Sequence, residues 1–191
     1  MARWLAGFAV AIAASASGDA LASVSLEVTW TELLHDSTAA VVATPVEARS
    51  VWENGRIYTY SRVRVDRAAA GNLAPGADAW VRTMGGEVGK IGQSVDGEAV
   101  LTPGLPALLF LHPGPPGAYV VTARGQGQFP VIADAARPEL PAHLVRSYAV
   151  GALVPPHAAG PVRFAAEVVH GRLVDDVLRD VAAAWAGAHE P

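Results

Sequence analysis

The chain has 191 residues, a formal net charge of −4 at pH 7 and no cysteine. Its length fits one domain of ordinary size, which can bury a core without covalent crosslinks. The lack of cysteine excludes disulfides, thiolate metal sites and a cysteine nucleophile, and the acidic balance argues against a nucleic-acid partner.

The first residues have the layout of a secretory signal peptide. Arg3 precedes an uncharged apolar stretch over residues 4–14, and small residues follow up to Ala22. The apolar stretch is too short to cross a bilayer, which needs about 20 residues. We expect residues 1–22 to be removed on export. Residues 23–191 then form a single domain without a transmembrane segment, in the periplasm or outside the cell; an uncleaved anchor or a buried N-terminal helix is the alternative.

A short helix and an irregular strand are predicted next. Thr29 and Glu32 have the spacing of a capping box, which predicts a helix from Trp30 to His35. The apolar run from Ala39 to Ala43 predicts a strand that continues irregularly towards Val51.

The following strand alternates between two sets of side chains. Asn54-Gly55 favours a tight hairpin turn before it, because both residues accept positive φ angles. Alternate residues of a strand point to opposite faces. One face carries Ile57, Thr59, Ser61, Val63 and Val65, and the other carries Tyr58, Tyr60, Arg62, Arg64 and Asp66.

Pro and Gly mark the ends of the remaining elements. A loop is expected from Ala68 to Gly76, and residues 92–101 favour a hairpin or a bulged strand. Strands are expected over residues 78–83, 107–111, 119–123 and 128–132. The Pro-rich segment 138–161 predicts no particular path. Near the C-terminus, apolar residues recur at intervals of three and four, which predicts a helix over about 173–186 that packs across an opening of the barrel.

These elements predict a mainly β fold with flanking helices: a small antiparallel OB-like β-barrel plus a C-terminal helix. The segments that specify it are Ser37-Thr38-Ala39-Ala40-Val41-Val42, Gly85-Gly86-x-x-Gly89, Leu108-Leu109-Phe110-Leu111, Tyr119-Val120-Val121 and Gly127-Gln128-Phe129. Over about residues 29–131 this order resembles a group of exported bacterial proteins of unknown function, whose layout is similar to the netrin-like domains of metalloproteinase inhibitors. Those inhibitors bind the protease zinc through an N-terminal cysteine, so inhibition by that route is excluded here.

One segment is similar to a catalytic motif but does not match it. Gly92-Gln93-Ser94-Val95-Asp96-Gly97 is similar to the G-x-S-x-G nucleophile elbow, yet Asp96 replaces the second glycine and no parallel α/β pattern surrounds it. A hydrolase that uses Ser94, or the carboxylates of Glu87, Asp96 and Glu98, is the alternative to a non-catalytic protein. It would be favoured if these groups met His112 in space. Solvated loop charges are the simpler interpretation.

The sequence predicts no metal site and no cofactor. Its six histidines are scattered, without the spacing of a ligand motif. Gly85-Gly86-Glu87-Val88-Gly89-Lys90 departs from the phosphate-binding loop at two positions. Gly125-x-Gly127-x-x-Pro130 lacks the third glycine of a dinucleotide fingerprint.

A row of aromatic and guanidinium groups is the candidate binding surface. Tyr and Trp give rigid contact area, Arg adds paired hydrogen bonds, and OB barrels bind ligands on this part of the sheet. We call this surface the Tyr/Arg face: Tyr58, Tyr60, Arg62, Arg64, Trp80 and Arg82. The alternative is that these side chains form cross-strand pairs that stabilise an exposed sheet.

The predicted function is an exported, non-catalytic binding or structural module, whose partner is a protein or an envelope polymer. Besides the hydrolase, a second alternative is a protease-associated protein that acts by surface contact without chelating zinc.

Overall fold

A closed five-stranded barrel forms the centre of the fold. The computed structural model describes residues 24–137, 139–157 and 160–190, and the predicted signal segment 1–22 lies outside them. In chain order the elements are β1 (Val24–Leu26), α1 (Trp30–His35), β2 (Ala39–Glu53), β3 (Arg56–Gly71), β4 (Asp78–Met84), β5 (Gly86–Val88), β6 (Ile91–Gln93), β7 (Ala107–Pro113), β8 (Tyr119–Val121), β9 (Gln128–Ile132), β10 (His143–Leu144), β11 (Ala152–Val154), α2 (Ala165–Val169) and α3 (Val174–Ala188).

The barrel has the strand order β7-β2-β3-β4-β8, and β8 pairs back to β7 to close it. The contact between β4 and β8 is parallel, through Val81 and Tyr119, and the other barrel pairings are antiparallel. Counted along the chain, this is the closed order 1-2-3-5-4-1 of an OB-like barrel. The predicted fold class is therefore confirmed. Outside the barrel, β9 and β10 extend the sheet beyond β7.

The long β2–β3 hairpin forms the largest part of the wall. The Asn54-Gly55 turn is confirmed, with φ angles of 50° and 77°. Three register shifts interrupt the pairing of β2 with β3, and such irregularities bend strands so that they curve round a barrel. The loop predicted from Ala68 is wrong for its first residues. β3 continues to Gly71 because the start of β2 pairs with Ala70 and Gly71.

Two hydrophobic cores share the barrel wall. Inside the barrel, Val63, Val81 and Leu109 belong to one cluster. On the outside, Leu108 and Phe110 belong to a second cluster with residues of α1, α2 and α3. The C-terminal helix is confirmed, but the prediction that it packs across an opening of the barrel is wrong. Alternation along β2 and β7 turns apolar side chains outward as well as inward, and α3 covers the outward set.

The first described residues, from β1 to α1, are held by a helix cap, by pairing with β11 and by the Gln126 side chain. The predicted capping box of α1 is present, with Thr29 and Glu32 bonded to each other's backbone N–H groups. β1 pairs in parallel with β11, and the Gln126 amide accepts from Val28 N and donates to Leu26 O, both at 2.9 Å. Within the described part of the chain, no helix is long and apolar enough to cross a membrane.

Candidate functional site: the outer face of β2, β3 and β4

The Tyr/Arg face lies on the outside of the barrel, where β3 and β4 pair. Tyr60 is opposite Arg82 and Arg62 is opposite Trp80. The intervening residues, such as Val63 and Val81, are fully buried inside the barrel, which fixes the opposite set outward. Five of the six side chains are partly buried and Arg64 is exposed. β2 flanks this surface, and its side chains join the face to form two ion-pair clusters.

Glu53 of β2 is the centre of the first cluster. The Tyr60 hydroxyl donates to Glu53 Oε1 at 2.7 Å, and Arg82 Nη2 donates to Glu53 Oε2 at 2.7 Å. The guanidinium carbon of Arg82 lies 3.4 Å from the centroid of the Tyr58 ring, within the range of a cation–π contact. One carboxylate thus holds an arginine and a tyrosine, and the arginine covers a second tyrosine ring.

This cluster shifts the protonation equilibria of its members. The hydrogen bond from Tyr60, followed by the one from Arg82, holds the pKa of Glu53 below its ordinary value. Burial, together with the neighbouring Glu53 carboxylate, raises the pKa of Tyr60. Glu53 is therefore ionised and Tyr60 is a neutral hydrogen-bond donor near neutral pH.

Asp78 is the centre of the second cluster. Arg62 Nη1 donates to Asp78 Oδ2 at 3.0 Å, and Arg64 forms an ion pair with the same carboxylate. Arg62 Nε also donates to Glu47 of β2 at 3.1 Å. The hydrogen bond from Arg64 contributes most to lowering the pKa of Asp78. Since these side chains are between 34% and 51% exposed, solvent screens their ion pairs, which add little to stability.

Trp80 lies between the two clusters. The guanidinium carbon of Arg49, on β2, is 5.2 Å from the centroid of the Trp80 ring. Among the described residues Arg49 makes no ion pair, unlike Arg62, Arg64 and Arg82. The Arg49–Trp80 pair is therefore the part of the surface whose cation and aromatic ring are both least committed to partners within the chain.

The sequence prediction did not include the β2 residues of this surface. Glu47, Arg49 and Glu53 have an alternating pattern that indicates a shared face. The irregular pairing between Pro45 and Glu47 hides which face that is, because one extra residue in a strand reverses the direction of every later side chain.

No family model, curated protein or solved structure matches this chain.

The residues of the hydrolase alternative are only partly brought together. A cavity of about 440 Å³ at one end of the barrel is lined by Glu87, Ser94 and Glu98, but not by Asp96. Glu98 accepts from Arg124 Nε at 3.1 Å. His112 lies on β7, where its Nδ1 is 3.1 Å from the Thr122 hydroxyl. Among the described residues no histidine lines the cavity, so Ser94 has no imidazole base there.

The described ranges contain no group of three or more His, Asp or Glu side chains placed to hold a metal ion. His112 is bonded to Thr122 rather than to the carboxylates that the sequence offered as partners.

Proposed function

We propose that this chain is an exported, non-catalytic binding module that holds a protein partner against the Tyr/Arg face. Export is supported by the signal-like segment 1–22. Binding is supported above all by the stacking of Arg82 on Tyr58 at 3.4 Å, with Arg82 fixed by Glu53. Aromatic and arginine side chains that are held in place before binding lose little conformational entropy when a partner arrives, and such residues often contribute most to affinity.

The charge distribution favours a partner of low net charge. The guanidinium groups of Arg62, Arg64 and Arg82 face the carboxylates of Glu47, Glu53 and Asp78. A polyanion would have to compete with these internal ion pairs, and the chain as a whole is acidic. What the surface offers is the partly buried aromatic side chains of Trp80, Tyr58 and Tyr60, together with the donors of Arg49. A protein surface with apolar groups and a few acceptors matches that chemistry.

The deciding experiment is affinity capture from periplasmic and secreted extracts, with the protein purified as the cell exports it. The test variant is Arg49→Ala with Trp80→Ala, which removes the least committed pair and leaves both carboxylate clusters intact. Trp52→Ala is the matched control. Trp52 lies on β2, the strand that carries Arg49, and is 49% exposed. It pairs with the inward residue Ile57, so it lies on the opposite face.

We expect a protein partner that the native chain and Trp52→Ala retain and that the double variant loses. Retention by all three proteins would contradict the assignment of this face. If the native chain captured an envelope polysaccharide and the double variant did not, the Tyr/Arg face would still be the binding surface, but the partner would not be a protein.

A further inference from the structure

The inner face of the barrel has a polar band, which lies along β3 between the buried apolar residues Ile57 and Val63. Along β3, Val63 and Val65 are buried in the barrel core, whereas the preceding inward residues are Thr59 and Ser61. β4 makes the same change, from Val81 to Thr83. These three hydroxyl residues line the cavity of about 440 Å³ described above, which we call the barrel cavity. Its other walls come from residues 84–101: Met84, Gly85, Gly86, Glu87, Gly92, Gln93, Ser94, Val95, Glu98, Ala99, Val100 and Leu101.

Ser61 is the observation that indicates a ligand. Its side chain is fully buried, and among the described residues its hydroxyl oxygen has no hydrogen-bond partner. A buried hydroxyl without a partner destabilises a fold, since it has given up its bonds to water. Thr59 differs, because its hydroxyl donates to the backbone oxygen of Gly85 at 2.7 Å. Thr59 therefore holds the wall of the cavity, whereas the hydrogen-bonding capacity of the Ser61 hydroxyl is not used by the described residues.

The wall around Ser61 is preformed. A Cβ atom on Gly86 would lie 2.2 Å from the Thr59 hydroxyl and 2.4 Å from the Ser50 hydroxyl, so the backbone packs directly on these side chains. Gln93 is oriented by its Oε1 atom, which accepts from Ile57 N at 2.8 Å. This bond leaves the amide NH₂ of Gln93 as a donor at the cavity wall.

The charge and polarity of the lining select the class of ligand. Both ionisable side chains of the lining, Glu87 and Glu98, are acidic, and Arg124 already pairs with Glu98. An anion would meet a carboxylate without a cation of the lining to balance it. Val100 and Leu101 add apolar side chains to the lining. We propose that the barrel cavity binds an uncharged small molecule that carries hydroxyl and amide groups on one side and an apolar surface on the other, as a neutral sugar does.

The test is an NMR titration of the complete exported protein with N-acetylglucosamine as the neutral probe and glucuronate as its anionic counterpart. We expect N-acetylglucosamine, at millimolar concentration, to shift the backbone amide signals of Gly85, Gly86 and Gly92. Glucuronate leaves them in place. Absence of a shift with N-acetylglucosamine, or tighter binding of glucuronate, would overturn the proposal.

Ser61→Ala distinguishes a ligand site from a hydroxyl that serves the fold. We expect it to weaken N-acetylglucosamine binding by about fivefold, the effect of one lost hydrogen bond. It should also raise the urea midpoint of the free protein, because an unpartnered hydroxyl is removed. Unchanged affinity, or a lower urea midpoint, would contradict the proposed role of Ser61.

Val100→Trp tests the location without changing a buried residue. Val100 lines the cavity and is 44% exposed, whereas Val46 is 45% exposed and lies outside the lining. Val100→Trp should block the titration and Val46→Trp should leave it intact. If both variants changed the N-acetylglucosamine titration equally, the sugar would not bind in the barrel cavity. Binding here is independent of the Tyr/Arg face, so Arg49→Ala with Trp80→Ala retains the response to N-acetylglucosamine.

Discussion

At the scale of single residues, Glu53 links three side chains of the Tyr/Arg face. Its two carboxylate oxygens accept separately from Tyr60 and Arg82, and Arg82 in turn covers Tyr58. The position of two aromatic rings thus depends on one ionised side chain of the neighbouring strand. Because a hydrogen bond to a carboxylate favours the charged form, this dependence is measurable as a pKa.

Tyr60→Phe is expected to raise the pKa of Glu53 towards its ordinary value of 4.5. The native pKa lies lower because the Tyr60 hydroxyl stabilises the carboxylate. A depressed pKa adds stability that is present above pH 4.5 and is lost as the pH falls through the folded-state pKa. The stability difference between native protein and variant should therefore narrow in that acid range. A pH titration of the Glu53 carboxyl carbon by NMR measures the shift.

Tyr58→Phe is the control for this titration, because the Tyr58 hydroxyl makes no hydrogen bond to Glu53. If both tyrosine variants changed the Glu53 pKa equally, the hydroxyl of Tyr60 would not be the cause.

The hydroxyl of Ser37 is a second side-chain group with specific hydrogen-bond partners. It donates to the backbone oxygen of Leu33, at the end of α1, at 2.7 Å, and lies 2.9 Å from the Thr122 hydroxyl. Ser37 and Thr122 are both buried. We expect Ser37→Ala to reduce the free energy of unfolding by about 1 to 3 kcal/mol, because both partners lose a bond in a place that water does not reach.

Urea denaturation measures this loss, with Ser94→Ala as the control. Ser94 is an exposed serine, so its variant should stay within about 0.5 kcal/mol of the native protein. Equal stability of the two variants would contradict a structural role for the Ser37 hydroxyl.

At the scale of elements, the end of β3 depends on glycine. Gly71 has a φ angle of 93°, and a Cβ atom there would lie 2.2 Å from the backbone oxygen of Thr38. Gly76 has a similar φ of 82° but open space around its Cβ position. Gly76→Ala should reduce the free energy of unfolding by about 1 kcal/mol through backbone strain alone.

Gly71→Ala should reduce it by about 3 kcal/mol or more, since the strain and the backbone clash act together. Thermal unfolding of both variants gives the comparison. If both variants lost the same free energy of unfolding, the close approach of Gly71 to the Thr38 backbone would add nothing to the backbone strain.

Local patterns predicted the individual elements well. The capping box at Thr29 and the Asn54-Gly55 turn are encoded within four neighbouring residues, and alternation along β3 separated the inward residues from the Tyr/Arg face. What the sequence did not reveal depends on distant pairing. The extension of β3 to Gly71 and the partners Glu47, Arg49 and Glu53 are set by pairing between strands and by a bulge in β2. The position of α3 is set by the core that it shares with α1 and β7. The polar part of the barrel interior was visible as Thr59 and Ser61, but only the register of β4 against β3, which pairs Thr83 with Thr59, places Thr83 beside them.

At the scale of the whole molecule, β7 joins the two hydrophobic cores. Leu109 points into the barrel and the adjacent Phe110 points to the helical layer, and both are fully buried. Phe110 makes edge-to-face contacts with Trp30 and Phe129, at centroid distances of 5.9 and 6.2 Å. Because one strand contributes to both cores, neither core can lose its packing without disturbing the wall of the other.

We therefore expect the barrel and the helical layer to unfold together in one cooperative transition, which both Leu109→Ala and Phe110→Ala shift to lower urea. Removing the leucine should reduce the free energy of unfolding by about 2 to 5 kcal/mol and removing the phenylalanine by about 3 to 5 kcal/mol, and the exposed change Val46→Ala should have little effect. Urea unfolding followed by circular dichroism reports on the strands, and tryptophan fluorescence includes Trp30 in the helical layer. If Phe110→Ala moved the fluorescence transition to lower urea while the circular dichroism transition stayed in place, the helical layer would unfold independently of the barrel.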